Sequence, residues 1–197
     1  MAKIETLIPF ILYFEAGVKK KYLSLQPEQI FAQAQKTGYA NDPDDSGGAT
    51  MCGITIGTYR EYCRIKGKRV PTISQLRAIT YQEWLDVLRT LFWNKWKADQ
   101  IQCQAIANIL VDWVWASGGY SIRLAQKLLG VKQDGIVGAK TLAALNAANQ
   151  KTLFDRIHAR RIAYVEGIVR NRPKDAKYLK GWKRRINDIT FEGLKYD

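Results

Sequence analysis

The stretch Tyr39–Thr55, YANDPDDSGGATMCGIT, decides how the rest of the chain is read. It sets Asp42, Asp44 and Asp45 beside Pro43 and the pair Gly47 and Gly48, in a chain that elsewhere reads as helix after helix. No helix runs through such a cluster. Asn and Asp side chains compete for backbone hydrogen bonds, proline lacks an N–H, and glycine favours positive φ. An ordered turn or a loose loop is expected here, and this stretch, with Met51–Ile54 in it, is the part of the chain that looks extended.

Outward from the turn the signals are helical. Ile4, Leu7, Ile8, Ile11 and Leu12 recur at helical spacing up to Glu15, with Pro9 expected to kink this helix or delay its start. Pro27 opens a short helix to Lys36, and another runs from Thr55 to Lys66 and ends at Gly67. Thr80 and Glu83 form a capping-box pattern opening a helix through TYQEWLDVLRTLFWNKW, and Ile101–Ser117 is closed by Gly118 and Gly119. Helices are expected at Tyr120–Leu129, Ala139–Asn149, Lys151–Val169 and Lys174–Phe191. VKQDGIVG, with a turn at Asp134 and Gly135 and close helix packing at Gly138, is the natural junction between subdomains.

A chain of 197 residues, 47% hydrophobic, can bury a sizeable core, which argues against disorder. No apolar run reaches the roughly 18 residues of a membrane span. LIPFILYF, flanked by Glu5 and Glu15, makes a poor signal peptide and reads as helix. The formal net charge of +13 predicts attraction to a polyanion; nucleic acid, an anionic membrane and a bacterial cell wall all qualify. Cys52, Cys63 and Cys103 form no CxxC pair, and their odd number argues against a disulfide framework. A single histidine, His158, excludes a histidine-built zinc site and disfavours a Ser or Cys nucleophile, so any chemistry falls to carboxylates.

Glu15 is the first candidate. It falls four and seven positions after Ile11 and Ile8, on the face turned to the core. A carboxylate there is partly desolvated, which favours its protonated form and suits a general acid. The plain alternative, that Glu15 ends the helix and reaches into solvent, is equally open at this stage. Asp42 and Asp45 could supply a second carboxylate, and Thr50, Thr55 and Tyr59 could hold a water or an acetamido group, although a helix cap is the plainer role for Thr55. Asp42, Asp44, Ser46 and Gly47 imitate the start of an EF-hand loop, but its twelfth position is Gly53 instead of glutamate, so no metal is expected. Trp113 and Trp115 lie roughly 200° apart on one helix, so one is expected inside and one at the surface. Asp112 shares the face of Trp115 at i, i+3 spacing, and this pair, with Asn41 and Tyr59, is placed near substrate.

F-E-A-G at Phe14–Gly17, N-D-P-D-D-S-G-G-A-T at Asn41–Thr50 and G-I-T at Gly53–Thr55 resemble the N-terminal signature of glycoside hydrolase family 108. LFWNKW and LVDWVWASGG resemble that family's central helices, and LAQKLLGVKQDGIVGAKTLAAL its closing peptidoglycan-binding segment. The resemblance implies a mainly α, lysozyme-like fold with a small extended element near the site. It divides the chain into a catalytic region at 1–118 and a peptidoglycan-binding-like region at 119–197, or one continuous domain. It implies an N-acetylmuramidase in which Glu15 is the acid that cuts the β-1,4 bond between N-acetylmuramic acid and N-acetylglucosamine, with no cofactor. Ala16 replaces the first glycine of the pattern, and residues 18–36 are inserted between the glutamate and the aspartate turn. A gap-free match would instead put Lys36 at the acid's position, and a lysine with no base beside it is a poor glycosidase acid.

The expected partner is the peptidoglycan glycan strand, with no nucleic acid and no stable membrane insertion, and the protein is expected to be a monomer. It would be made in the cytoplasm and act on the wall after release or export. A wall-binding protein without activity and a basic nucleic-acid-binding domain are the alternatives; the latter lacks any recognised motif.

Overall fold

The computed structural model describes residues 1–41 and 48–196. They form a mainly α protein with one small antiparallel sheet. The chain separates into two compact units, Ile4–Leu91 and Met1–Lys3 with Phe92–Asp197. This division falls ahead of residue 118, because the long helix preceding that residue packs with the helices that follow it.

In the unit Ile4–Leu91, a 3-10 turn at Ile4–Thr6 leads into α1 (Ile8–Ala16). Pro9 sits in the first turn of α1, where its missing N–H removes no intrahelical bond, so it delays the helix instead of kinking it. Ile8, Phe10, Ile11 and Leu12 are buried, and Gly17 ends α1 at φ 63°, the left-handed conformation glycine adopts without a Cβ penalty. Helix α2 (Pro27–Ala34) opens with Gln26 and Gln29 capping each other, and buries Ile30, Phe31 and Ala34. Phe31 packs on Trp84 and Tyr81, with ring centroids 5.6 and 5.8 Å away.

Strands β1 (Tyr39–Ala40), β2 (Thr50–Met51) and β3 (Ile54–Thr55) pair antiparallel in sequence order. The register sets Ala40 opposite Thr50 and Thr50 opposite Thr55. Cys52 and Gly53 make the two-residue link between β2 and β3 with φ of 47° and 81°, both positive as a type I′ turn requires. A non-glycine residue in that conformation costs about 1 kcal/mol. Cys52 is held there by its N–H donating to Gly38 O at 2.8 Å and its carbonyl accepting from the buried Trp84 Nε1 at 3.0 Å.

Helix α3 (Ile56–Ile65) is capped by Thr55, whose Oγ1 accepts from Thr58 N at 3.1 Å. A short α4 (Ile73–Arg77), missing from the sequence reading, opens on a capping box of Thr72 and Gln75. The Thr80 hydroxyl caps α5 (Tyr81–Leu88), but the reciprocal half of the expected box is absent from the bonds described, and Glu83 pairs with Lys68 at 2.7 Å. The expected single helix to Trp96 also stops short, since residues Arg89–Trp93 widen into a π-helical turn.

The second unit is built on α6 (Gln104–Ser117), buried without a break from Ala105 to Val114. Gly118 ends it at φ 69°. It packs on α7 (Tyr120–Leu129) and on the 22-residue α9 (Gln150–Asn171), with α8 (Ala139–Ala147) against α7 and α10 (Ala176–Asn187) against α9. The Asp134–Gly135 turn forms as expected, read by the buried Gln126, whose Nε2 donates to Asp134 Oδ1 at 3.0 Å and whose Oε1 accepts from Gly135 N at 2.8 Å. The close approach expected at Gly138 does not occur: a Cβ there would meet nothing within 4 Å, and the residue serves as the N-cap of α8.

Candidate active site

Glu15 is half-buried on the last turn of α1. The residue after it anchors the sheet. Ala16 O accepts from Thr37 Oγ1 at 2.7 Å, and a Cβ added to Gly38 would lie 3.1 Å from Ala16 Cβ, 2.7 Å from Ala34 O and 2.7 Å from Cys52 Sγ. Only glycine fits at that crossing. The inserted residues 18–36 therefore leave α1 and return to its end, and β1 starts where the glutamate-bearing turn stops. Lys36, the alternative position, is exposed and bonds to Gln33 Oε1 at 2.9 Å.

Strand pairing brings Ala40 and Thr50 opposite each other, so the two ends of the aspartate stretch are held about 5 Å apart. Asp42 and Asp45, with Asp44, lie outside the described residues. Asn41 is exposed at the end of β1. Thr50 and Thr55 are half-buried and directly opposed, which puts their side chains on one face of the sheet. Thr50 Oγ1 donates to Gly48 O at 3.3 Å, and Thr55 Oγ1 lies 3.0 Å from Thr58 Oγ1. Glu15, Asn41, Thr50 and Thr55 thus all belong to the segment running from α1 through the sheet to α3.

Tyr59 is 4% exposed and stacks on Tyr62. Burial raises its pKa, and a hydrogen bond to Glu83 adds to the rise. It lines a pocket of about 340 Å³ with Lys68, Arg69 and Gln75. Next to it, Asp86 accepts from Tyr62 Oη at 2.8 Å and pairs with Lys66 at 2.9 Å. Burial would raise the Asp86 pKa, but these partners hold it below the usual carboxylate range.

Asp112 has no exposed surface. Its Oδ2 accepts from Arg161 Nη2 at 2.7 Å and its Oδ1 from Arg185 Nη2 at 2.8 Å. Arg161, itself 2% exposed, also donates to Ile109 O at 3.0 Å. Burial alone would push the Asp112 carboxyl up, but the Arg185 and Arg161 charges outweigh it and hold it below its ordinary value. A carboxylate so enclosed has no lone pair to offer a sugar, and the expectation that Asp112 contacts substrate gives way to a role in clamping α6, α9 and α10. Its i, i+3 partner Trp115 is half-buried against the Phe92 ring at 4.6 Å, whereas Trp113 is 1% exposed, the division expected of residues about 200° apart.

His158 is half-buried beside Phe154, and desolvation lowers its pKa. The three cysteines are free thiols; burial pushes Cys52 up to about 12. Among the described residues no group of three His, Cys, Asp or Glu side chains could hold a metal ion. Sequence reasoning missed Thr37 and Gly38, which tie the sheet to α1, and Arg161 and Arg185. The tight crossing at Gly38 had a signal in its glycine; the arginines had none.

No curated protein matches the chain. Among solved structures it is similar to that titled "Structure of Brucella abortus SagA", at 29% identity and TM-score 0.66, covering 81% of this chain and 90% of that one. Residues 31–118 match the family described as Glycosyl hydrolase 108 and residues 120–187 the family described as Predicted Peptidoglycan domain. The first match begins after Glu15, which therefore lies outside the residues matched to that family. Residues 31–118 thus resemble glycosyl hydrolase family 108, and residues 120–187, which follow them, resemble a peptidoglycan domain.

Proposed function

We propose that the protein is an N-acetylmuramidase that cuts the β-1,4 bond between N-acetylmuramic acid and N-acetylglucosamine in peptidoglycan, with Glu15 as general acid. The matches of residues 31–118 to glycosyl hydrolase family 108 and of residues 120–187 to a peptidoglycan domain support glycoside hydrolysis on that polymer. The observation that carries the choice of Glu15 is the closure of the insertion: with Thr37 bonded to Ala16 and Gly38 packed on it, the glutamate is joined in space to the sheet, as the family pattern joins them in sequence.

In this reading the half-buried Glu15 donates its proton to the bridging oxygen as the bond to the leaving sugar breaks. Charge develops on the muramic acid ring, and a water, set by Thr50 or by the carboxylates of Asp42 or Asp45, completes the hydrolysis. Asn41 at the rim of the sheet remains a proposed sugar contact. Action on the wall places the working protein outside the cytoplasm, and no described helix is long and apolar enough to cross a membrane.

A catalytically inactive wall binder is the second reading, favoured by the start of the family match at residue 31. Turbidity of purified cell walls separates the two. Clearing by the wild type and none by Glu15→Gln supports the muramidase; pelleting of the wild type with walls, without release of reducing sugar, supports the binder.

A further inference from the structure

We infer that the lysine turn leaving α1, Lys19–Lys20–Lys21, binds the carboxylates of the peptide stems carried by the glycan, so that the inserted segment is a specificity element of the same site. The inference rests on the glycan-cleaving reading of Glu15.

Three lysines in a row are ordinarily a solvated face. Here their placement is more constrained than that reading needs. Lys19 follows Glu15 by four residues, so its backbone lies within about 14 Å of the glutamate's even in the most extended chain. Val18, between them, is 3% exposed and pins the exit from α1 to the core. The turn itself is closed by backbone bonds, Tyr22 N to Lys19 O at 2.9 Å, Leu23 N to Lys20 O at 3.0 Å and Leu25 N to Tyr22 O at 3.1 Å. The far end of the insertion is bonded back to Ala16, and α2 packs on α1. The lysines are thus carried on an ordered turn fixed at both ends beside the proposed acid, not on a loose loop.

All three are exposed, and among the described residues none forms an ion pair. Lys21 Nζ lies 5.0 Å from the centroid of the Tyr22 ring. Three ammonium groups on one short turn raise the local positive potential around it. An anion arriving there is attracted by that potential. Each muramic acid residue bears, through its lactyl ether, a peptide whose free carboxylates are such anions. A glycan bound with its glycosidic oxygen at Glu15 brings the stems of the sugars near the cut into the neighbourhood of this turn. Ammonium groups on flexible stems suit carboxylates that are themselves on a flexible peptide, since neither side requires the fixed fork of an arginine.

The test compares kcat/KM on three soluble glycans: stem-bearing, stripped of stems by an amidase, and stem-bearing with the stem carboxylates amidated. The expected result is a wild-type preference for the stem-bearing glycan over the other two. That preference falls about five- to tenfold in Lys19→Gln/Lys20→Gln/Lys21→Gln, as the loss of three exposed charge pairs implies, and is largely restored by arginines at the three positions. Equal preference in wild type and triple glutamine variant overturns the inference, as does an undiminished preference for the amidated stems. Binding of a stem-bearing muropeptide to Glu15→Gln protein, measured by calorimetry, keeps the two readings apart. Loss of muropeptide affinity on adding the three glutamines, with no hydrolysis by the wild type, removes the muramidase but leaves the lysine turn; hydrolysis with unchanged affinity does the reverse.

Discussion

Two carboxylates on core-facing helical positions, Glu15 and Asp112, look alike in sequence and differ in the structure. Asp112 lies in the middle of α6, fully enclosed, with both oxygens taken by guanidinium groups. Glu15 lies on the last turn of α1, half-buried, next to the residue that anchors the sheet. Position along the helix separates them: a mid-helix carboxylate facing the core must be neutralised by partners, whereas one at a helix end can sit between the core and water. The first kind of site holds a structure together and the second can exchange a proton with a ligand.

The largest effect should come from breaking the second kind. Glu15→Gln is expected to lower wall hydrolysis at least a hundredfold, the usual contribution of a general acid, while thermal unfolding shifts little. Lys36→Gln should leave hydrolysis near the wild-type rate. The reverse pattern in turbidity assays would move the acid to Lys36 and dismiss the argument from Gly38.

Asp112→Ala should do the opposite, costing about 3–5 kcal/mol because two buried guanidinium groups lose their counter-charge. For a chain of this size that corresponds to a fall of about 10 °C in the unfolding midpoint, read by calorimetry. The pH dependence has a definite sign. The folded-state pKa of Asp112 is lowered below its unfolded value of about 3.9, so its contribution is fully present above that pH and is lost as pH falls through the folded value. The stability gap between wild type and Asp112→Asn should therefore narrow as pH falls below about 4. A gap that widened on acidification would show that the carboxylate is not the charged partner of the arginines.

A smaller loss, about 1–3 kcal/mol, is expected for Gly38→Ala, whose Cβ would press on Ala34 O and Cys52 Sγ at 2.7 Å. Because the same crossing joins the sheet to α1, hydrolysis should fall more than stability does. A stable Gly38→Ala protein with full activity would show that the crossing does not position Glu15. Smallest is Thr55→Ala, about 1 kcal/mol for the lost cap of α3, measured by urea unfolding.

The helices were legible where local chemistry decides them. Pro9 delayed the start of α1, Gly118 ended α6, and Thr55 capped α3. Strands of two residues each are too short to show alternation, so only the turn chemistry around them could be read. The π-helical turn at Arg89–Trp93 interrupts an apolar pattern that gave no sign of it. The burial of Asp112 was not readable because its partners stand 49 and 73 residues away, and nothing local marks an arginine that will face a carboxylate. Glu15 was legible as a candidate from its spacing and Lys36 was disfavoured by its chemistry, whereas the approach of Gly38 to Ala16, on which the proposal leans, exists only in three dimensions.

The account is tested most directly by mass spectrometry of peptidoglycan digested with the wild type and with Glu15→Gln. It predicts fragments ending in reducing N-acetylmuramic acid from the wild type and none from the variant. Fragments with intact glycan and cut peptides, or the same sugar fragments from both proteins, would contradict it.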